Sequence, residues 1–160
     1  MVFELKDKLK KMEDLIKEIG VDGEIIYHEL SGRKTEDAEK ALKVPRKYIL
    51  KSLLFKSKDK YVAAIVTGNK RVNVRKLEKI SGLKKLRLAT PDEVKAFTGF
   101  EIGGVPPFVF YKLCPAYVDK EVMERDYVIG AAGSEYCGIK FSPEIFKKIG
   151  YIVEEIGEEM

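Results

Sequence analysis

Two apolar, β-rich runs, YILKSLLFK at residues 48–56 and YVAAIVT at 61–67, are separated only by the polar SKDK at 57–60. A connection that short joins antiparallel neighbours, so the two runs predict a hairpin at the centre of a sheet. Lys51 falls inside the first run. By the two-residue period of a strand it shares a face with Ile49, Leu53 and Phe55, while Leu50 and Leu54 take the other face. Burying an ammonium group unpaired is costly. Lys51 must therefore either snorkel to the rim of the sheet or point into a polar cavity that binds something anionic.

Helical patterns surround the hairpin. Leu5, Leu9, Met12, Ile16 and Ile19 recur at helical spacing ahead of Gly20, which predicts an amphipathic helix within residues 1–20. EIIYHE at 24–29 predicts a strand. Thr35 can then cap a short helix through residue 42, with Glu36 and Asp37 in its first turn. Asn73 caps a helix over 74–81 closed by Gly82, and residues 84–89 return as a strand. Thr90, Pro91 and Glu93 supply an N-cap, a first-turn proline and a capping-box carboxylate for a helix that stops at Gly99. Residues 108–113, 127–130 and 138–141 predict short strands, 142–148 a helix, and 151–156 a final strand before an acidic tail. No repeat or linker interrupts the pattern. The expected fold is a single α+β domain over 1–160, its core at 24–152, with a mixed, largely antiparallel sheet or partly closed barrel and short flanking helices.

A chain of 160 residues with 45% hydrophobic and 35% charged residues can bury one core and remain soluble. No stretch has the length of a membrane span and the first residues lack a signal-peptide apolar region, so a cytoplasmic protein is expected. Glutamine is absent and asparagine occurs only at Asn69 and Asn73, while Lys and Glu abound, a pattern of proteins from hot environments. The net charge of +4 permits a polyanionic partner without demanding one, and basic pairs recur, as at Lys10 and Lys11 or Arg46 and Lys47.

The single histidine, His28, narrows the chemistry. A serine triad would need His28 as base and a nucleophile elbow, which the GAAGSEYCG segment around Ser134 resembles only superficially. Cys114 and Cys137 fit neither a disulfide framework nor a zinc motif and read as reduced thiols. There is no phosphate-binding loop and no dinucleotide fingerprint. Neither metal nor cofactor is expected. His28 itself reads as a hydrogen-bonded strand residue or as the neighbour of a site. The loop FEIGGVPPF at 100–108 is more suggestive. Gly103 and Gly104 leave main-chain N–H groups uncovered and Pro106 and Pro107 stiffen the exit, which suits either a tight turn or a set of donors to a developing oxyanion. The small residues Gly130, Ala131, Ala132 and Gly133 could floor a compact pocket.

Taken in order, these segments resemble the YbaK/prolyl-tRNA synthetase editing-domain family. The likeness runs from His28 and Thr35 through ILKSLLF, RVNVRKLEKISGLKKLRLATPDEV and TGFEIGGVPPF to VIGAAG and the Pro143 helix. It implies hydrolysis of the ester between an amino acid and the terminal adenosine of tRNA, without a metal or a covalent enzyme intermediate. Lys51 matches the strand lysine expected to hold the terminal nucleotide. Gly103 and Gly104 match the loop expected to polarise the ester carbonyl. His28, Thr35, Pro106, Pro107, Phe108 and residues 130–133 would line the substrate pocket. The implied partner is the charged acceptor end of a tRNA such as that for proline, carrying alanine or cysteine, with a tRNA synthetase as a further partner and no DNA or membrane. A non-catalytic RNA-binding module and a hydrolase of a small non-RNA ester stay open as alternatives.

Overall fold

The computed structural model describes residues 2–27 and 35–160. In chain order these form α1 (Val2–Ile19), β1 (Gly23–Tyr27), α2 (Thr35–Leu42), β2 (Leu50–Ser57), β3 (Lys60–Thr67), β4 (Lys70–Val72), α3 (Val74–Ser81), β5 (Arg87–Leu88), α4 (Pro91–Thr98), β6 (Ala116–Asp119), α5 (Lys120–Met123), β7 (Val128–Ala131), β8 (Cys137–Phe141), α6 (Ile145–Lys148), β9 (Ile152–Glu154) and β10 (Gly157–Glu159). The strands make a five-stranded sheet in the order β5-β2-β3-β6-β9, a three-stranded sheet β1-β8-β7 and the pair β10-β4. The α+β expectation holds, with one refinement. The sheets are open among the described residues, and the larger one is mixed because β3 pairs with β6, and β6 with β9, in parallel.

The hairpin lies where the sequence puts it, with β2 and β3 antiparallel from Leu50 opposite Thr67 to Ser57 opposite Lys60. Val62 to Val66 are all fully buried, because β3 has a core on each face. On one side lies a cluster that includes Leu50, Leu54, Phe108, Phe110, Phe141 and Phe146, and on the other lie Phe55, Val62, Leu77 and Ile156. Asn73 and Thr90 cap their helices through side-chain acceptors, Gly82 and Gly99 close them in the left-handed conformation, and the capping box of α4 is complete.

One expectation fails for an identifiable reason, and two features of the fold were not expected. Residues 108–113 are successive turns rather than a strand: Val109, Tyr111 and Leu113 donate to the carbonyls of Pro106, Phe108 and Phe110. Alternating apolar residues imitate a strand there, yet Phe108 and Phe110 are both fully buried from a turn. The strand that does follow, β6, has all four residues buried and so lacks the alternation that marks a half-exposed strand. The acidic tail is also ordered. Buried Asp119 accepts the N–H groups of Ile156 and Gly157 at 2.9 and 2.8 Å, and Glu158 and Glu159 then pair with Arg71 and Lys70 on β4.

Glu93 ties α4 to the large sheet. Its carboxylate meets Arg87 at 2.8 Å and Lys56 at 2.8 Å and accepts the Thr90 N–H, which together hold its pKa well below the usual carboxylate range. A depressed carboxyl contributes stability that is complete above the ordinary range and lost as pH falls toward its own value. Glu93→Ala is therefore expected to lower the melting temperature at pH 7. The gap from the parent protein should shrink steadily in melts taken from pH 5 down to pH 2.

Candidate functional site

Strand β2 has a neighbour on both sides only near its ends. It pairs with β5 at Phe55 and Lys56, and Ile49 just before it bridges Ile129 in β7. Between these contacts its edge is open among the described residues. Backbone polar groups alternate in direction along a strand, and Leu54 offers its carbonyl to Ala89 on the β5 side while Ile49 offers its own to Gly68 beyond β3. The N–H and C=O of Ser52 therefore turn toward the gap.

A cavity of about 460 Å³ fills that gap. Its wall comes from α2 (Thr35, Ala38, Leu42), β2, the start of α4 (Val94), the glycine loop (Ile102, Gly103, Val105) and β7–β8 (Ile129 to Ala131, Cys137). The lining is mainly apolar, with Thr35, Lys51, Ser52 and Glu135 as its polar side chains, which is the constitution of a small-molecule site. A second space of about 470 Å³ adjoins it across Ile102 and Glu135 and is bounded by Gly104, Gly133, Ser134 and Lys95.

Lys51 stands at the rim. Leu50 and Leu54 belong to the cluster that floors the cavity, and Lys51 has the opposite parity, beside Leu53 and Phe55. Its Nζ lies 3.8 Å from the Met160 sulfur and has no carboxylate partner among the described residues. Partial burial and the neighbouring Arg46 guanidinium lower its pKa. Arg46, by contrast, is held by Glu39 at 3.2 Å. A half-buried ammonium without a counterion is an anion site in waiting.

The glycine loop divides its duties. Gly103 lines the cavity with φ at 94°, a conformation that favours glycine. Gly104 does not line the cavity: its N–H donates to the Glu101 carbonyl and its own carbonyl accepts the Gly133 N–H, each at 2.9 Å. That amide is bonded within the loop, unlike the expectation that it faces the substrate carbonyl. Pro107 packs on Gly130, and its carbonyl accepts the buried Tyr151 hydroxyl at 3.0 Å. Phe108 is fully buried in edge contact with Phe141, and Ala132 is fully buried too. Thus Thr35, Lys51, Gly103, Gly130 and Ala131 converge on the cavity, whereas Gly104, Pro106, Pro107, Phe108, Ala132 and Gly133 do not line it. His28 lies outside the described residues. Sequence reasoning missed Ser52 and Glu135. Ser52 leaves a trace as a hydroxyl between two core leucines, but Glu135 in the polar segment GSEYCG leaves none.

The sequence profile of the aminoacyl-tRNA editing domain matches residues 30–149. The chain belongs to the aminoacyl-tRNA editing family. It is 39% identical over 102 residues to a proline–tRNA ligase of Solidesulfovibrio magneticus, covering 62% of this chain and only 17% of the ligase. It is 30% identical over 110 residues to an Enterococcus faecalis protein named "Putative Cys-tRNA(Pro)/Cys-tRNA(Cys) deacylase EbsC", covering 68% of this chain and 67% of that one. A crystal structure described as "a putative trans-editing enzyme for prolyl tRNA synthetase" superposes with a TM-score of 0.84 at 28% identity, covering 94% of this chain and 97% of its own. Family members are thus of two kinds by length. This chain spans a small fraction of the ligases and most of the free-standing relatives. Among its described residues no helix is long and apolar enough to cross a membrane.

Proposed function

We propose that this chain is a trans-acting deacylase that hydrolyses the ester of a mischarged tRNA, of the alanyl- or cysteinyl-tRNA(Pro) kind, and that it acts in the cytoplasm, alone or beside a tRNA synthetase. The observation that supports this reading most is the convergence of a lysine that has no counterion among the described residues and a glycine turn on one largely apolar cavity in a chain of the editing family. An ester of the terminal adenosine brings the features such a cavity suits: a nearby phosphate for Lys51, a carbonyl oxygen for the main-chain N–H of Gly103, and a small side chain against Gly130 and Ala131. The N–H and C=O of Ser52 offer further partners to the ribose or the amino group. Water, or the thiol of a cysteinyl substrate, is the attacking group, and the N–H donor stabilises the tetrahedral oxyanion.

Size selection follows from the wall. A cavity rejects larger groups by steric clash but discriminates weakly against smaller ones. Ala131→Leu should therefore reduce hydrolysis of an alanyl ester by roughly 10-fold or more while leaving tRNA affinity unchanged, since the substitution fills the space meant for the amino acid. The primary test is release of labelled alanine, cysteine, serine and proline from charged tRNAs. Release of one small amino acid, lost in the Ala131→Leu protein, supports the deacylase. No release from any charged tRNA would replace it with an RNA-binding role.

A further inference from the structure

Just outside the cavity, Tyr48 and Tyr127 stack with ring centroids 4.8 Å apart and planes only 7° from parallel. Lys47 lies over Tyr48 at 5.4 Å and Lys140 over Tyr127 at 4.4 Å. Rings that close leave no room between them for an ammonium, so the two lysines cap the outer faces of the stack. The result is a four-membered pile of cation, ring, ring and cation. Both lysines are exposed, and neither has a carboxylate within ion-pair distance among the described residues. Of the nearby acidic groups, Glu39 is engaged with Arg46, Glu121 with Arg125 and Lys70, and Asp126 with the Tyr127 N–H, while Glu24 stands opposite Lys140 across the β1–β8 pair without forming an ion pair with it. Arg125 also fixes the segment, donating from Nε to the Lys47 carbonyl at 3.2 Å.

Position gives the pile its meaning. Ile49 directly follows Tyr48 and Ile129 lies two positions after Tyr127, and these two isoleucines form the bridge that bounds the cavity. Ile129 and Ala131 share one face of β7, and Tyr127 lies just before it at the same parity, so a row leads from the aromatic pair to the cavity wall. Lys51 continues the line of positive charge at the rim. A structural clamp between the two sheets would need the rings but not two exposed ammonium groups on their outer faces.

We propose that this pile is the docking platform for the unpaired 3′ nucleotides of an RNA, the residues that precede the one held at Lys51. This rests on the deacylase reading and extends it outward from the cavity. Lysines without partners can swing from ring to phosphate, and the ring faces they leave accept bases by stacking, which is how single strands are held without sequence readout. Each phosphate contact releases counterions, so binding through the lysines must weaken with salt.

The test uses the whole chain and a fluorescein-labelled RNA hairpin with four unpaired 3′ nucleotides, compared by anisotropy with the same hairpin made blunt. The parent protein should prefer the overhang. Lys47→Ala with Lys140→Ala should cost about 10-fold or more in affinity for the overhang and reduce the slope of log K against log salt by about one to two. Tyr48→Leu with Tyr127→Leu should weaken binding and leave that slope unchanged. If the rings prove necessary for folding, shown by loss of the thermal transition, the surface lysine pair decides alone. Equal affinity for overhang and blunt hairpins, or parent-like binding by the lysine pair, overturns the platform. Failure of the deacylase reading looks different: overhang binding would persist and depend on the lysines while no charged tRNA released its amino acid.

Discussion

Lys51→Met is expected to reduce ester hydrolysis by roughly 10- to 100-fold and, at the same time, to raise the melting temperature at pH 7 by about 2 °C. The loss follows from the proposed role of Lys51, a charge-assisted contact to the terminal phosphate, a bond of the stronger kind because the cavity rim excludes part of the solvent. The gain follows from the same environment in the absence of substrate. The Lys51 ammonium is partly desolvated and, among the described residues, has Arg46 rather than a carboxylate beside it and only a sulfur contact. A thioether of similar length fills the same space without that cost. The pH dependence checks the cause. Because the folded pKa lies below the ordinary 10.5, the folded protein sheds the proton before the unfolded chain does, and the parent gains stability as pH rises through that interval. The advantage of Lys51→Met should therefore be full at pH 7 and narrow above the lowered pKa. A variant less stable than the parent at pH 7 would show that Lys51 serves the fold instead.

The same residue shows what sequence alone can reach. Its place on a central strand, the parity that sets it apart from Leu50 and Leu54, and the question of where its charge goes are legible in nine residues. Caps are equally legible, since Asn73, Thr90 and Glu93 act on their own helices through bonds spanning three residues. Long-range geometry is not. That Gly104 spends its N–H on Glu101 depends on the turn the loop adopts, and that its carbonyl is bound by Gly133 depends on two segments meeting 29 positions apart in the chain. Glu135 reaches the cavity only because β7 and β8 return beside the glycine loop, and Tyr48 finds Tyr127 only through the Ile49–Ile129 bridge. The strand-like spacing at 108–113 misleads because two phenylalanines separated by one residue can be buried from a turn as well as from a strand.

Gly104→Ala is expected to lower the melting temperature by roughly 5 °C and to abolish most of the ester hydrolysis, although the residue touches no part of the cavity. A Cβ there would stand 2.9 Å from the Gly133 carbonyl carbon, its oxygen and the Ser134 nitrogen. All three are backbone atoms of a facing segment, so no side-chain rotation can make room. The glycine loop and residues 130–134 must separate, breaking the Gly133 N–H bond to the Gly104 carbonyl. That movement carries Gly103 away from Gly130 and Ala131, the opposite wall of the cavity, and a donor misplaced by an ångström loses most of its hold on an oxyanion. Gly20→Ala provides the control. Its φ of 78° also disfavours alanine, yet a Cβ there meets nothing within 4 Å, so it should cost some stability and leave hydrolysis intact. If both variants lose activity in proportion to stability, general unfolding accounts for the effect. If Gly104→Ala alone loses activity at a temperature where both are folded, the loop's seating on residues 133 and 134 sets the position of the donor.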